Sequence, residues 1–241
     1  MKRFALSTLG GLVFLTGILL ELSLSGGVLW GEVEARIYTP QIGESGLAVK
    51  CPFILSPSES GIVSAAITNT LDEATSPVVT AEISRSEGQQ QLSQTLTLAA
   101  HETRTLQWTV DRSDILFDRL ILVNIVQSRY SDLPPRQGAC GILVFNLPSL
   151  NGIQSFILLF LASLISILMG ATIWFRANRP LNEIRRSTAQ ACVLTAGMAT
   201  AGLLTALPHW WGLILFFDFL TLIILAVVLT EFVLFPRHMR N

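Results

Sequence analysis

The sequence predicts a membrane protein of mixed α and β structure, with four transmembrane helices and an extracytoplasmic antiparallel β-sandwich. Hydrophobic residues make up 51% of the 241 residues and charged residues 14%, whereas about a quarter of the residues in soluble domains are charged. Four long apolar runs account for this difference. The polar stretch between the first two runs alternates as β-strands do, and the basic residues orient the chain.

The 16 Lys and Arg residues fall into two groups. Eight lie within residues 31–150, and each of the other eight stands beside the end of an apolar run. Because cytoplasmic loops collect Lys and Arg, both termini and the loop 176–186 are expected in the cytoplasm of an inner (plasma) membrane protein, with residues 31–150 outside. The loop is most simply a topology determinant, and binding of anionic lipid headgroups or a cytoplasmic partner is the other interpretation. The second group is Lys2, Arg3, Arg176, Arg179, Arg185, Arg186, Arg237 and Arg240.

The first apolar run, residues 4–30, follows a basic start and fits either a signal peptide or a signal anchor. The run is long for the apolar part of a signal peptide, and no clean small-x-small cleavage site follows it. The sequence therefore favours an uncleaved helix over residues 1–30.

Three further apolar runs, at residues 153–175, 187–207 and 213–235, predict a three-helix transmembrane region within residues 151–241. The first of these runs would form a helix about 34 Å long, which crosses a hydrocarbon core of about 30 Å. Four crossings also return both termini to one side. Run 187–207 is rich in small residues, which let helices approach closely in lipid. Its predicted helix-packing residues are Thr195, Gly197, Ala199 and Gly202.

Residues 31–150 carry a period of about two in their apolar residues, which is typical of strands. Turn-forming residues, such as Ser56, Pro57 and Gly88, separate the candidate strands. Short strands at this spacing predict an antiparallel β-sandwich. The candidates are residues 47–55, 61–69, 77–85, 92–99, 103–110, 119–129 and 141–145.

Cys51 and Cys140 stand near the start and the end of this predicted sandwich. In an oxidising compartment a disulfide would tie the two ends together, and two buried free thiols are the alternative. Connectivity across 88 intervening residues does not follow from the sequence alone.

Two segments resemble the bacterial Ig-like domains of the adhesion or CARDB type. Residues 62–70, Ile-Val-Ser-Ala-Ala-Ile-Thr-Asn-Thr, resemble their second strand and the turn after it. Residues 94–103 resemble a second hallmark, a turn in which leucine and small residues precede a polar-Glu-Thr step. His101 stands where such turns usually carry Gly. The resemblance extends over residues 49–144 and implies a sandwich of a kind that hosts many binding roles.

Glu21 and Asp218 are the sharpest candidates for a functional site, because carboxyl groups within apolar runs are costly. At 1.5 Å per residue they lie about 13 Å and 10 Å below the tryptophans of the predicted outer interface. The simplest interpretation is that each is protonated or reaches headgroup water. The other interpretation is that they share a proton, bind a cation or accept hydrogen bonds from Thr200 or Thr205.

No catalytic, phosphate-binding or cofactor motif occurs in the sequence, and neither His101 nor His209 has neighbours at metal-ligand spacing. Residues 31–150 hold 8 basic and 13 acidic residues, a net charge of −5 that disfavours nucleic acid. We therefore expect a non-enzymatic membrane subunit without cofactor or metal. Its sandwich would bind a protein partner, and its helices would pack in lipid within an oligomer or larger assembly. The alternative is a small transporter or channel component that uses Glu21 and Asp218.

Overall fold

The structure, a computed structural model, describes residues 2–38, 44–85, 88–128, 134–180, 183–208 and 210–234. The chain divides into two compact units. The first, here called the helical unit, combines Met1–Leu29 with Ile157–Asn241, and the second, the sandwich unit, is Trp30–Phe156. The fold is therefore α plus β.

Within the described residues, four long apolar helices correspond to the four apolar runs. They are α1 (Lys2–Tyr38), α2 (Gly152–Ala177), α3 (Glu183–Ala206) and α4 (Trp211–Leu234). Each is long and apolar enough to cross a membrane, judged by length and composition. α3 ends shortly before Pro208, since the residue preceding a proline disfavours helical backbone.

α1 and α2 approach each other closely at glycines. A Cβ atom added to Gly10 would lie 2.6 Å from a backbone nitrogen of α2, and one added to Gly17 would lie 2.8 Å from the carbonyl oxygen of Ser163. Gly170 of α2 is just as close to the backbone of α1. Only residues without side chains allow this separation, as is common where helices pack in lipid.

The sandwich unit consists of two sheets. One has the strand order β1-β9-β8-β5-β6, with β3 also pairing with β9, and the other has the order β2-β4-β7. All neighbours are antiparallel except the short β1 and β3, which run parallel to β9, so the first sheet is mixed. The strands are β1 (Glu44–Ser45), β2 (Ala48–Lys50), β3 (Ile54–Leu55), β4 (Gly61–Thr68), β5 (Val78–Arg85), β6 (Gly88–Thr95), β7 (Thr103–Val110), β8 (Leu120–Gln127) and β9 (Arg136–Val144).

The sandwich core lies between the two sheets and follows the predicted period of two. On β4 the side chains of Val63, Ala65 and Ile67 are buried, while those of Ser64 and Ala66 between them are half-buried. Trp108 of β7 and Ile125 of β8 belong to the same core. Burial of each large apolar side chain contributes about 1.5–3 kcal/mol, so this core is the main source of the unit's stability.

The last turns of α1 cover the outer face of β8 and β9. Ala35 is fully buried against Leu120 and Leu122. Gly31 packs so closely on β9 that a Cβ atom added to Gly141 would clash with the Gly31 backbone, whereas one added to Gly31 would make ordinary contacts of 3.4–3.6 Å with Leu120 and Gly141. β8 is consequently buried on both faces, which suits a sequence that is apolar except for Asn124 and Gln127.

The sequence predicts that the first helix ends at residue 30, whereas α1 continues to Tyr38. The charged residues Glu32, Glu34 and Arg36 interrupt the apolar run but not the helix. The helix persists because Gly31 and Ala35 provide a narrow face that docks on the sheet. Tertiary packing therefore sets the end of this helix.

The start of α2 is held within the sandwich unit. Asn151 and Gln154 form a capping box, with backbone-to-side-chain distances of 2.8 Å and 3.2 Å. Glu59 accepts hydrogen bonds from the backbone N–H groups of Gly152 (2.6 Å) and Ser56 (2.8 Å). Burial tends to raise the pKa of Glu59, but these bonds outweigh it and lower that pKa. The resulting stabilisation is present above the ordinary pKa and is lost as the pH falls through the lowered one.

Cys51 and Cys140 form a disulfide, and their Cα atoms are 6.5 Å apart. Cys140 belongs to β9 of the first sheet, and Cys51 directly follows β2 of the second. The bond therefore connects the two sheets and closes a loop of 89 residues.

Replacement of both Cys51 and Cys140 by Ala is expected to lower the free energy of unfolding of the sandwich unit by about 2–5 kcal/mol, because the unfolded chain regains loop entropy. Limited proteolysis of the full chain in mild detergent over a temperature series measures the change. Cys192→Ala serves as the control, since Cys192 is a free cysteine. Equal melting of the double variant and the wild type would contradict a stabilising disulfide.

Candidate functional site: the polar centre of the helical unit

The helical unit encloses buried polar side chains from all four helices. Glu21 and Ser25 of α1 and Ser163 of α2 are 0% exposed, and Asp218 of α4 is 9% exposed. Thr200 of α3 is half-buried. These five residues are here called the polar centre. Polar groups removed from water are costly unless they are hydrogen-bonded, so the partners of each carboxyl group are decisive.

Glu21 is bonded to hydroxyl groups on two other helices. Its Oε1 atom accepts a hydrogen bond from Ser163 Oγ at 3.2 Å. Thr200 Oγ1 is 3.3 Å from Oε1 and 3.2 Å from Oε2 of the same carboxyl group. One side chain therefore connects α1, α2 and α3.

Asp218 is bonded to Ser25, whose Oγ atom lies 3.0 Å and 2.9 Å from the two carboxyl oxygens. Ser25 follows Glu21 by four residues, so both side chains project from one face of α1. α3 accommodates Asp218 at Gly202, where an added Cβ would lie 2.7 Å from Oδ1. The second carboxyl thus joins α1 to α4 beside a glycine of α3.

The serine hydroxyl groups each have one proton and several acceptors within reach. Ser163 Oγ is 2.7 Å from the carbonyl oxygen of Phe160, and Ser25 Oγ is 3.0 Å from the carbonyl oxygen of Glu21. A carboxyl group accepts from such hydroxyls when it is ionised and can donate to them when it is protonated. The arrangement therefore suits hydrogen bonding between helices in either state.

The predicted helix-packing residues of α3 differ in their surroundings. Ala199 and Gly202 are buried, and Thr195 is buried with its hydroxyl donating to the Ala191 carbonyl oxygen at 2.8 Å. Gly197 is exposed, and an added Cβ would meet no atom within 4 Å. Packing within the chain therefore involves three of the four residues, and Gly197 lies on the outer surface of the helical unit.

Of the two threonines considered as donors to the carboxyl groups, Thr200 bonds to Glu21, whereas Thr205 donates to the Gly202 carbonyl oxygen at 2.8 Å. Ser25 and Ser163 are not predicted from the sequence. The four-residue spacing from Glu21 is a signal that points to Ser25. No comparable signal points to Ser163, because α2 also contains Ser155 and Ser166 and the sequence does not distinguish the three.

His101 lies in the turn before β7, at the position where the Ig-like domains that this segment resembles usually carry Gly. Its φ of 57° lies in the left-handed region that glycine adopts most easily, and its ring Nε2 is 2.9 Å from Asp72 Oδ1. Glu102 closes the turn by accepting from the Ala99 backbone N–H at 2.8 Å, and this hydrogen bond lowers the pKa of Glu102. His101 is thus a turn residue, and His209 lies outside the described residues.

A scan against protein-family models finds no match, and a search of the curated proteins finds no similar chain. Among solved structures, one similarity is to the CARDB domain of a Pyrococcus furiosus protein, with 9% identity over 44% of this chain and 96% of that chain and a TM-score of 0.32. Another is to a Bacteroides uniformis β-glucuronidase, with 21% identity over 40% of this chain and a TM-score of 0.31. A third is to a Paenibacillus cycloisomaltooligosaccharide glucanotransferase, with 23% identity over 43% of this chain and a TM-score of 0.35. The chain spans only 12% and 14% of the lengths of these two enzymes, so the likeness concerns the fold of one part of the chain.

Ser25→Ala is expected to destabilise the helical unit by about 1–2 kcal/mol, because both oxygens of Asp218 lose their bond to Ser25. The measurement is denaturant unfolding of the full chain in detergent. The matched control is Ser23→Ala on the same helix, since Ser23 is exposed and donates to the Leu19 carbonyl oxygen. Equal stability of the two variants would show that the bond to Asp218 does not stabilise the unit.

Proposed function

We propose that the chain is a non-enzymatic integral membrane subunit of a bacterial-type cell envelope. Its four helices pack in the membrane within a larger assembly, and its Ig-like β-sandwich binds a protein partner outside the cytoplasm. The polar centre is the observation that carries this proposal. Its carboxyl groups are bonded to hydroxyl groups of neighbouring helices, which is how polar side chains fix helices in lipid.

The surface of the helical unit supports a membrane setting. Large apolar side chains are exposed along all four of its helices, including Leu12 (57%), Leu168 (67%), Val193 (66%) and Phe219 (60%). In water a continuous surface of this kind leads to aggregation, whereas hydrocarbon is a favourable solvent for it. The basic residues beside the helix ends favour cytoplasmic termini and a cytoplasmic loop 176–186.

Two properties of the sandwich unit support its location and role. A disulfide between Cys51 and Cys140 persists in oxidising compartments, which favours a location outside the cytoplasm. The net charge of −5 over residues 31–150 disfavours nucleic acid and anionic lipid as ligands and favours a protein partner.

A transporter or channel component is the alternative function. The burial of Glu21 and Asp218 in one helical unit favours it, because carboxyl groups in membranes often mark ion or proton pathways. The donors to these carboxyl groups are hydroxyls within the packed unit. These contacts are those expected of carboxyl groups that hold helices together, so they favour the subunit over the transporter. Replacement of the carboxyl groups by carboxamides distinguishes the two functions.

The orientation is tested with single cysteines at Ser93 and Glu183, in a chain where Cys192 is replaced by serine. Both positions are exposed, one on β6 and the other at the start of α3. Ser93→Cys should react with an impermeant maleimide added to intact spheroplasts, and Glu183→Cys should react only after permeabilisation. Labelling of Glu183→Cys from outside would overturn the proposed topology.

Gly197→Leu is expected to reduce a copurifying partner or oligomer at least about fivefold, because Gly197 lies on the outer surface, where a leucine blocks approach of a second helix but not the fold of this chain. The control for Gly197→Leu is Gly212→Leu, where an added Cβ also meets open space.

The Glu21→Gln and Asp218→Asn variants should assemble and function normally, since carboxamides keep the shape of the side chain and can hydrogen-bond to the hydroxyls. Copurification after mild detergent extraction gives the readout. Carboxamide variants that assemble but lose function would favour the transporter instead.

A further inference from the structure

A cavity of about 260 Å³ lies among all four helices of the helical unit. Its volume is just below the range of about 300–1,000 Å³ found for drug-sized ligands, so it suits a slender ligand. Its apolar lining extends from Gly11 and Leu15 of α1 to Trp174 of α2, Cys192 of α3, and Leu225 and Val228 of α4. The exposed Leu12 also lines it, so the cavity reaches the surface of the unit.

The polar part of the lining lies beside basic side chains. Ser7 and Thr188 line the cavity, and they follow Arg3 and Arg185 by four and three residues on their helices, so each pair shares a helix face. Asn178 Nδ2 donates to Ser7 Oγ at 2.8 Å, and Arg185 Nη1 lies 3.4 Å from the Asn178 carbonyl oxygen. These contacts place Arg185 at the rim.

The charge at this end of the helical unit is strongly positive. It carries five arginines beside the ends of α1, α2 and α3, against two acidic residues among the described residues there, Glu183 of α3 and Glu231 in the last turn of α4. The arginines are Arg3, Arg176, Arg179, Arg185 and Arg186. An apolar cavity with a cationic rim is complementary to an amphipathic anion.

We propose that this cavity binds one acyl chain of an anionic phospholipid, whose phosphate lies against Arg185 and Arg3. The proposal rests on the membrane location argued above. The volume fits a single chain of methylene groups, the opening beside Leu12 admits it laterally, and the rim charge selects an anionic headgroup. A zwitterionic lipid lacks the net charge, and an apolar side chain of a partner lacks the phosphate.

Two pairs of variants separate the cavity from the rim. Gly11→Phe fills the cavity, because an added Cβ there meets nothing within 4 Å. Gly26→Phe is the matched control, since Gly26 also lies on α1 with open space but does not line the cavity. Arg185→Gln removes charge from the rim, and Arg185→Lys retains it.

The experiment titrates the full chain in mild detergent with phosphatidylglycerol or phosphatidylcholine of identical acyl chains and quantifies lipid adducts by native mass spectrometry. One phosphatidylglycerol should bind per chain, at least about fivefold more tightly than phosphatidylcholine. Gly11→Phe should abolish this binding and Arg185→Gln should weaken it about fivefold, while Gly26→Phe and Arg185→Lys bind as the wild type does. Equal binding of the two lipids, or normal binding by Gly11→Phe, would overturn the proposal.

Alkaline carbonate extraction of membranes from cells that express the full chain distinguishes failure of this proposal from failure of the proposed function. Release of the chain into the soluble fraction would overturn both. A chain that stays in the membrane but shows no preference for phosphatidylglycerol overturns the lipid site alone.

Discussion

The close approach of α1 and α2 is the constraint on which the rest of the helical unit depends. Gly10, Gly17 and Gly170 leave no space for a side chain between the two backbones. Glu21 lies one turn beyond Gly17, and at this separation its carboxyl group reaches Ser163 Oγ at 3.2 Å. A wider separation would leave the buried carboxyl without its contact on α2, at a cost of about 1–3 kcal/mol.

Polar contacts and apolar packing make different contributions to such a unit. In the proposed membrane setting, lipid tails are as apolar as leucine side chains, so apolar surface alone would favour no particular rotation of one helix against another. The bond from Ser25 to Asp218 fixes the rotation of α1 relative to α4, and the bonds of Glu21 fix it relative to α2 and α3. The polar centre thus specifies an arrangement that hydrophobicity alone leaves open.

The sequence predicts the helices and strands of this fold better than it predicts the contacts between them. Periodicity is a property of one segment, whereas a contact involves two or more. The strand predicted at residues 61–69 is observed at Gly61–Thr68, and each apolar run corresponds to a helix. The end of α1 was not predictable from its own residues, since it depends on Gly31 meeting a strand more than 100 residues later in the chain. In the polar centre the two carboxyl groups stand out by their cost in an apolar run, whereas Ser163 is one of several serines in α2 and is distinguished only by its position in three dimensions.

The polar centre also has a consequence for synthesis, because its members are far apart along the chain. Glu21 and Thr200 are 179 residues apart, and Ser25 and Asp218 are 193 residues apart. At about 5–20 residues per second, the ribosome needs about 10–35 s to make the segment between Glu21 and Thr200. In the proposed membrane setting, the Glu21 carboxyl group of a newly inserted α1 therefore lacks both partners until Ser163 is made, 142 residues later, and lacks Thr200 for the whole of that time. Nascent chains would need the insertion machinery, a chaperone or headgroup water to shelter Glu21 until α3 arrives.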